Sequence, residues 1–530
     1  MNVLLISVQR NLDIIGLKQL HHLLLSKGVN SFLLYLPRFD TADTAALNRL
    51  DAFVKEVSPG LVGLSLMAID FQYAQDLTDH LKAVLPQTPV VWGGIYPTTA
   101  PEKCLQYADY VCVGEGEQTL LDMAAAIEQG RPMTAIPNLA YREHGTFKQN
   151  PLYPLIEDLD TLPILAQIPP NSFAQVRTEI VPVTSRLLRK HKRWSGGLYK
   201  TMTSRGCPYA CTYCCNNFLQ KLYGRQGVRR RSVAHIMAEL QGALREGPPL
   251  EYVDFMDDCF LACDLDYLRE FCREYKDKIQ KPFSAKATPR YLTREKMDLA
   301  VDAGLKWANI GLQSGSEFAC REIYRRQIPP EDVVESTRLI HEYPVAPVYD
   351  VIVDNPFESV ADQLDTVERL LAIPRPFGTL IFSLVFYEGT DLYERALREC
   401  PERAQEGFSK NYYVRSQGHV NELIEMAGVL HRPLVRRLIA RFKSDPDGAL
   451  TRLAFRAATA YSGIILTPLT YFRLIQRTQN GSFWRTLRVL PLYSGQGIAY
   501  YLNSFRLFKR RETAAPSLSG KAVHPKVDDP

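Results

Sequence analysis

Three cysteines near the middle of the chain have the residue type and spacing of iron–sulfur ligands. Cys207, Cys211 and Cys214 are separated by three and two residues, in the sequence Gly-Cys-Pro-Tyr-Ala-Cys-Thr-Tyr-Cys. Such clusters normally have four cysteine ligands, so three thiolates on one loop leave one iron of a 4Fe–4S cube with an open coordination position. A small molecule can bind and react at that iron. Zinc sites instead use paired Cys or His ligands, and no second pair with that spacing is nearby.

The elements that must position this loop form a regular series of strands and helices. Six apolar strands, each followed by a loop and a helix, are predicted at residues 199–203, 252–256, 283–287, 307–312, 347–353 and 377–384. This pattern is typical of a partial (β/α)6 barrel, in which chemistry gathers at the carboxyl ends of the strands. Polar side chains follow three of these strands and are candidate ligand residues: Asp257, Asp258, Arg290, Gln313, Ser314 and Glu317.

The first 135 residues predict a second α/β domain. Near-continuous apolar strands alternate there with helices, which indicates a doubly wound, parallel, Rossmann-like sheet. Ligands of such sheets bind beyond the carboxyl ends of the strands, and the absence of G-x-G-x-x-G after the first strand argues against a dinucleotide. The candidate ligand residues at these ends are Ser65, Leu66, Gly93, Gly94, Gly114, Glu115 and Gly116.

Taken together, the cysteine loop and the glycine loops resemble the radical S-adenosylmethionine (radical SAM) superfamily, in the large subgroup that has an N-terminal cobalamin-binding domain. The resemblance implies that the open iron chelates SAM, whose cleavage yields methionine and a 5′-deoxyadenosyl radical. It also implies that the glycine loops hold cobalamin, and that the following residues bind SAM: Tyr213, Asp257, Asp258, Arg290, Gln313, Ser314 and Glu317.

The chemistry of SAM suits these side chains. Its amino group needs acceptors such as Asp257 or Asp258, and its carboxylate suits the guanidinium fork of Arg290. Its ribose hydroxyls can pair with residues of the Gln313–Glu317 stretch. At each of these positions, a satisfied turn or helix-cap residue is the alternative interpretation.

One departure from the family pattern concerns the cobalt ligand. The motif D-x-H-x-x-G, whose histidine binds cobalt from below, is absent after the first strand, where the sequence is Asn11-Leu-Asp-Ile-Ile-Gly16. His21 and His22 fall in the following helix and are interpreted as ordinary surface or core residues. We therefore expect cobalamin to bind without a protein histidine ligand.

Length and composition predict a protein of several domains. The 530 residues are 46% hydrophobic and 23% charged, which is ordinary for globular proteins. Eleven cysteines are too few for a disulfide scaffold, no signal peptide is evident, and no apolar run reaches a membrane span, so a cytoplasmic protein is expected. The predicted divisions are residues 1–135, a linker at 136–198, the barrel at 199–390, a basic helical domain at 391–512 and a disordered tail at 513–530.

The C-terminal region is strongly basic. Residues 431–511 contain fifteen Lys and Arg but two Asp, a net charge of +13 against +5 for the whole chain. Two apolar runs, at 457–472 and 489–507, lie between basic flanks, which favours helices that rest on an anionic membrane. A helical cap with a solvated basic face is the alternative, and nucleic acid is not favoured because no RNA-binding module is present.

The predicted reaction is methylation of an unactivated carbon of an apolar or lipid-like small molecule, with methylcobalamin as methyl donor and a flavodoxin or ferredoxin as external electron donor. An oxidative cyclisation or rearrangement without methyl transfer uses the same motifs, and a non-catalytic cobalamin or redox sensor is an alternative of another class. A tRNA methylthiotransferase would have three more cluster cysteines in its N-terminal domain, where only Cys104 and Cys112 occur.

The remaining cysteines near the loop have no clear ligand pattern. Cys215 is adjacent to the third ligand but off the spacing, and a core thiol is the expected role. Cys259, Cys263 and Cys272 lack the compact spacing of an auxiliary cluster. Cys259 follows Asp258 directly, so it is expected to lie near the barrel mouth as an isolated thiol.

Overall fold

The computed structural model of the protein describes residues 1–37, 39–190, 197–326, 328, 330–405 and 415–493. Most of the second predicted apolar run, its basic flank at 509–511 and the predicted disordered tail at 513–530 lie outside the described residues. In the described part, two parallel sheets are followed by a set of C-terminal helices. The α/β class predicted from the sequence is confirmed.

The first sheet is doubly wound. Its central strands run in the order β5-β4-β3-β1-β2 and are all parallel, because each is joined to the next by a helix. Residues Val3 to Ile6 are at most 1% exposed, since helices cover both faces of the sheet. The elements are β1 (Asn2–Ser7), α1 (Ile15–Ser26), β2 (Asn30–Tyr35), α2 (Thr44–Val57), β3 (Leu61–Ser65), α3 (Phe71–Val84), β4 (Val90–Gly93), α4 (Ile95–Thr99), α5 (Pro101–Cys104), β5 (Tyr110–Cys112) and α6 (Glu117–Glu128).

The segment between the two parallel sheets adds strands to the first of them. One antiparallel hairpin pairs with β5 and another joins the opposite edge at β2. The sheet in the described residues therefore has nine strands, with both outer edges built from this segment. Its elements are β6 (Leu139–Glu143), β7 (Thr146–Gln149), β8 (Ser172–Val176), β9 (Glu179–Pro182) and α7 (Ser185–Lys190).

The second sheet is the predicted six-stranded partial barrel. Strands β10-β13-β14-β15-β16-β17 are parallel and in chain order, and a short antiparallel pair, β11 with β12, flanks the cysteine loop. The elements are β10 (Leu198–Thr201), β11 (Ser204–Arg205), α8 (Cys215–Leu222), β12 (Arg229–Arg230), α9 (Val233–Glu246), β13 (Tyr252–Phe255), α10 (Leu265–Lys278), β14 (Phe283–Ala287), α11 (Arg294–Ala303), β15 (Leu305–Gln313), α12 (Pro330–Ile340), β16 (Ala346–Val353), α13 (Val360–Ala372) and β17 (Gly378–Ser383).

The C-terminal helices pack on the barrel beside its last strands. α16 contacts α13, and α19 contacts β16 and β17. No helix in the described ranges is long and apolar enough to cross a membrane. The helices are α14 (Asp391–Glu399), α15 (Pro401–Gln405), α16 (His419–Ala427), α17 (Arg432–Ser444), α18 (Ala449–Tyr461), α19 (Thr467–Thr478) and α20 (Phe483–Tyr493).

Candidate functional site

The cysteine loop begins where the first barrel strand ends. The carboxylate of Asp257, fully buried after β13, accepts hydrogen bonds from the backbone N–H of Thr203 (3.0 and 3.1 Å) and from its hydroxyl (2.6 Å). The hydroxyl of Ser204 donates to the same carboxylate. Both oxygens of Asp257 are therefore occupied by the strand end that leads into the loop. This carboxylate positions the loop, and the exposed carboxylate at the end of β13 is that of the next residue, Asp258.

The three loop cysteines are free thiols with donors directed at them. Cys207 and Cys214 are partly exposed and Cys211 is buried. Backbone N–H groups of Tyr209 and Asn216 donate to Cys207 and Cys214, as expected where sulfur carries negative charge. These soft donors, close together on one loop, fit a 4Fe–4S cluster. In the described residues no three His, Cys, Asp or Glu side chains converge on a single metal ion, but a cluster needs one iron per thiolate and not one shared ion.

Burial and the neighbouring thiol set the protonation of these cysteines. Burial raises the pKa of Cys207 to about 12, and Asp258 adds to this effect. Burial also raises the pKa of Cys211. A hydrogen bond from the Cys215 thiol lowers the pKa of Cys214. Since thiols must lose their protons to bind metal, cluster binding at this loop would release protons.

A segment that follows β15 supports the loop from the other side. Thr212 donates from its backbone to the Tyr324 carbonyl (3.0 Å) and from its hydroxyl to the Ile323 carbonyl (2.6 Å). The ring of Tyr213 packs edge-to-face against Tyr324, with 5.0 Å between the ring centroids. The aromatic residue before the third cysteine is thus held in a cluster of apolar side chains.

Asn216 connects the cysteine loop to the end of β13, a role that spacing alone did not indicate. Its amide donates to Asp258 (2.9 Å) and lies 3.8 Å from the Cys214 sulfur. Asp258 is open to solvent on one side, while the surrounding protein desolvates it and raises its pKa. Arg290 is exposed in the turn that follows β14. These two charged side chains are available at the barrel mouth to a zwitterionic ligand.

The stretch after β15 is directed largely towards α13. The Ser314 hydroxyl donates to Glu358 (2.7 Å), and the backbone N–H of Gly315 donates to Thr366 (2.8 Å). Glu317 is exposed and pairs with Arg321 at 2.8 Å. The Ser314 and Glu317 side chains are therefore not brought together with Asp258. Gln313 lies at the strand end itself, after a bulge and with a φ of 68°.

A further acidic residue lies inside the barrel, where the sequence analysis identified no site. Asp350 is on β16, and one of its carboxylate oxygens has no hydrogen-bond partner among the described residues. Burial raises the pKa of Asp350 to about 7, and Lys286 and Arg326 partly oppose the shift. The alternation of side chains along a strand indicates only which face of the sheet a residue occupies. It could not distinguish the buried carboxyl group of Asp350 from one that faces solvent.

A cavity of about 450 Å³ lies between the first sheet and the barrel. Six of the seven predicted cobalamin residues line it: Ser65, Gly93, Gly94, Gly114, Glu115 and Gly116. The barrel contributes Met202, Ser204 and Arg205, which directly precede the cysteines. The seventh, Leu66, is buried behind the wall, where its backbone N–H donates to Gly93 at 3.0 Å. The glycine loops and the strand that leads into the cysteine loop therefore border the same space.

Two of the glycines are required by the backbone. Gly94 and Gly114 have φ angles of 94° and 87°, which favour glycine. A Cβ at Gly114 would lie 1.9 Å from the Tyr223 hydroxyl, and one at Gly94 would lie 2.9 Å from the Ser65 hydroxyl. Glycine thus allows both loops to pack closely against these neighbours while their backbone lines the cavity, and a cavity walled by such glycine loops fits cobalamin.

Ion pairs join the glycine loop of the first domain to the strands beside the cysteines. Glu115 accepts from Arg205 (2.9 Å) and from Arg229 (2.6 and 3.2 Å). Glu117 accepts from Arg205 at 2.6 Å. The Tyr223 hydroxyl, at the end of α8, accepts from the Glu115 backbone N–H at 2.9 Å. We call Glu115, Glu117, Arg205 and Arg229 the interdomain clamp.

Asp13 stands where the cobalt-binding histidine of the family motif would be. Its carboxylate lies 3.9 Å from Lys18 and 3.7 Å from Lys200 of the barrel strand β10. Burial raises the pKa of Asp13, and both lysines oppose the shift. His21 is buried between Ser31 and the Pro170 carbonyl, and His22 accepts from the Ala166 N–H. Both histidines thus have structural partners.

Two family models match the chain. The B12 binding domain matches residues 1–124 and the Radical SAM superfamily matches residues 201–370. The first model covers the five parallel strands β1 to β5 of the first sheet, and the second covers most of the barrel. Among solved structures, the radical SAM methyltransferase TsrM from Kitasatospora setae, with tryptophan and a SAM analogue bound, aligns with a TM-score of 0.60 at 20% identity. The alignment covers 75% of this chain and 76% of that one.

Two curated relatives differ in their reactions. An uncharacterized methyltransferase of Pyrococcus horikoshii is 22% identical over 359 residues, which are 67% of this chain and 73% of the relative. An anaerobic magnesium-protoporphyrin IX monomethyl ester cyclase of Synechocystis is 29% identical over 142 residues, which are 26% of this chain and 25% of the cyclase. The similarity to this methyltransferase therefore extends over more of the chain than the similarity to this one cyclase.

Proposed function

Because this chain is a radical SAM enzyme with an N-terminal cobalamin-binding domain, and its cofactors are a 4Fe–4S cluster, SAM and cobalamin, we propose that it methylates an unactivated carbon of an apolar, lipid-like substrate. The observation that carries the proposal is the shared cavity. Its wall combines the glycine loops of the first sheet with Met202, Ser204 and Arg205, which precede the cysteines. A carbon placed there is within reach of both domains.

The proposed roles of the residues follow from their surroundings. Cys207, Cys211 and Cys214 hold the cluster, while Asp257 and Asn216 fix the two ends of their loop. When bound, the cluster and SAM supply a radical that removes hydrogen, and cobalamin supplies the methyl group.

The remaining charged and glycine residues hold the two organic cofactors. Asp258 accepts from the amino group of SAM, and Arg290 pairs with its carboxylate. Gly94 and Gly114 line the cavity proposed for cobalamin, and glycine at these positions lets their loops pack against Ser65 and Tyr223.

The apolar substrate class is supported by the walls of the cavity. Apolar side chains from both domains line it, among them Leu5, Leu20, Leu64, Leu120, Leu162 and Leu219. The basic C-terminal helices support a peripheral contact with the membrane in which a lipid-like substrate would reside. We further expect a cytoplasmic flavodoxin or ferredoxin to supply the electron.

The test uses the full chain reconstituted without oxygen with iron, sulfide and hydroxocobalamin. Reductant and SAM with a deuterated methyl group are added to a bacterial lipid extract. We expect 5′-deoxyadenosine, and a lipid that carries the deuterated methyl group. Cys207→Ala should abolish both products, whereas Cys400→Ala, at a cysteine outside the loop, should leave both unchanged. Product formation by Cys207→Ala would contradict the assignment of the cluster.

A second candidate is an oxidative cyclisation, which the similarity to the cyclase of Synechocystis favours. The same assay separates the two reactions. If a substrate is consumed and 5′-deoxyadenosine is formed, but no deuterium enters the product, methyl transfer is wrong and cyclisation stands. If no 5′-deoxyadenosine is formed at all, both reactions are wrong for this chain.

A further inference from the structure

Large apolar side chains are exposed on the solvent side of α18, α19 and α20, with arginines beside them. α18, the turn at Ser462–Leu466 and α19 form one continuous helical rod. Large apolar side chains on this rod and on α20 are 40% to 78% exposed: Leu450, Leu453, Tyr461, Ile464, Ile465, Leu469, Phe483, Trp484 and Leu487. We call these nine residues the outer apolar face. On the rod, Leu450 and Leu453 are three residues apart, and Tyr461, Ile465 and Leu469 are each four apart, so these side chains lie on one side of it.

This arrangement is the reverse of an ordinary surface helix, whose solvent side is polar. The opposite side of the same rod is fully used: Phe455, Tyr471, Leu474 and Ile475 are at most 4% exposed against the barrel and the neighbouring helices. The exposed apolar side chains are therefore additional to those that pack the helices on the barrel. A contiguous apolar surface of this kind marks a site of interaction.

The end of α19 and the start of α20 continue the surface. The rings of Phe472 and Phe483 are 5.8 Å apart, and those of Phe483 and Trp484 are 5.5 Å apart. Trp484 is the most exposed of the nine, at 78%. Tryptophan and tyrosine at the end of an apolar surface are typical of contact with the boundary between lipid and water.

Charge identifies the partner. The chain contains no Asp or Glu between Gly448 and Arg511. Arg452, Arg456, Arg473 and Arg485 are exposed on the helices that carry the outer apolar face. The exposed carboxylates of Asp445 and Asp447 lie just before the start of α18. Beyond them, an apolar surface bordered by arginines, on a stretch without acidic residues, is complementary to anionic lipid head groups above acyl chains.

A second copy of the chain is a poorer match. A two-fold dimer through this surface would place the same patch on both sides, so arginines would face arginines with no carboxylate from this stretch between them. A membrane surface has no such conflict. Since no helix in the described residues can span a bilayer, the helices would have to lie along its surface.

We propose that the outer apolar face rests on an anionic membrane surface, with the rod parallel to the membrane plane. This inference refines the membrane contact in the proposed function, but it does not depend on the reaction. Binding to lipid is measured without turnover, so its failure would leave methyl transfer untouched, and a failure of methyl transfer would leave binding untouched.

The test is flotation of the reconstituted full-length protein with vesicles. Vesicles of phosphatidylcholine with about 30% phosphatidylglycerol should carry the protein, and pure phosphatidylcholine should carry much less, because each arginine contributes about fivefold in affinity. Arg452→Gln/Arg473→Gln should weaken binding about 25-fold on the same scale. Leu453→Glu/Ile464→Glu should abolish it. Val360→Glu/Phe318→Glu, at equally exposed apolar residues of the barrel, is the matched control and should bind like the wild type.

The depth of Trp484 gives an independent readout. Its fluorescence should shift to shorter wavelength on anionic vesicles and be quenched by brominated acyl chains, and both effects should vanish in Trp484→Phe. Equal binding of Leu453→Glu/Ile464→Glu and the barrel control would overturn the proposal. It would also be overturned if the wild type is a dimer that this variant converts to a monomer, with no lipid binding by either, because the surface would then be an interface between copies.

Discussion

Replacement of Glu115 by glutamine tests whether the interdomain clamp fixes the position of the glycine loop relative to the cysteine loop. Glu115 accepts three hydrogen bonds from two arginines. Arg205 keeps its bond to Glu117 in the variant, so the loss falls mainly on Arg229. The Arg229 side chain is 9% exposed and would retain the Ile156 carbonyl as its partner.

The size of the effect follows from burial. Removing one partner of a fully buried ion pair costs about 3–5 kcal/mol. Glu115 is 19% exposed, and glutamine still offers one oxygen as an acceptor, so a loss of about 2 kcal/mol is more appropriate, in the range of one hydrogen bond to a charged group. Local opening of the interface should therefore become about 30-fold more frequent.

The assay is hydrogen exchange of the backbone amides in β11, in β12 and in the loop at residues 114–117. Glu115→Gln should raise their exchange rates about 30-fold. Glu179→Gln breaks an exposed pair with Arg49 (3.1 Å), where less than about 1 kcal/mol is expected, and serves as the matched control. In turnover, Glu115→Gln should form less methylated product per 5′-deoxyadenosine.

A double-mutant cycle with Arg229→Gln decides whether the two residues act together. Coupling of about 2 kcal/mol is expected, and effects that add within about 0.5 kcal/mol would mean that the pair does not interact energetically. Exchange rates in Glu115→Gln that equal those of the Glu179→Gln control would refute the clamp as a positioning device.

Three further substitutions test the loops and the core. Gly114→Ala should lower cobalamin retention on gel filtration more than Gly130→Ala does, because both positions have a positive φ but only the first would bring a Cβ against Tyr223; equal retention would contradict this. Asp257→Asn should reduce bound iron after reconstitution, since the Thr203 N–H and hydroxyl lose a charged acceptor worth about 2 kcal/mol, and a full iron content would contradict it. Burial lowers the pKa of His22 from 6.5 to about 4. As the pH falls, the His22 imidazole is therefore protonated in the unfolded chain before it is protonated in the folded protein. The free energy of unfolding then falls by about 1.4 kcal/mol per pH unit between pH 6.5 and about pH 4. His22→Gln should remove that contribution in urea titrations between about pH 7 and 5, and an unchanged slope would exclude it.

The sequence predicted the features that depend on local patterns. The cysteine spacing, the apolar strands and the glycine loops are each contained in fewer than about ten residues, where periodicity and turn chemistry are informative. Both sheets were predicted on that basis, and their parallel pairing is confirmed.

The partners of the polar residues could not be predicted, because they come from distant parts of the chain. Asp257 is saturated by Thr203 and Ser204, more than fifty residues earlier. Glu115 meets Arg229 across 114 residues. Local sequence indicates that a carboxylate follows a strand, but not whether its oxygens are free for a ligand.

The strands at residues 139–182 illustrate a second limit. This segment is rich in proline and polar residues, as outer strands with one solvated face are. These strands pair with β5 and β2 because those two strands have open edges in the folded sheet. The sequence of the segment itself does not show which edges of a distant sheet are open.

The open shape of the barrel gives the C-terminal helices a protective role. A sheet of six strands does not close on itself, so β17 has no strand partner on its outer side among the described residues. An exposed strand edge is a template for aggregation. α16 and α19 cover the region around β17, beside a buried ion pair between Arg415 and Glu425 (2.6 Å). A fragment that ended after the last barrel strand would keep every cofactor loop and still expose this edge. The catalytic half of the molecule is therefore unsuited to expression by itself, and a shortened form would have to retain α16 to α19 to keep this edge covered.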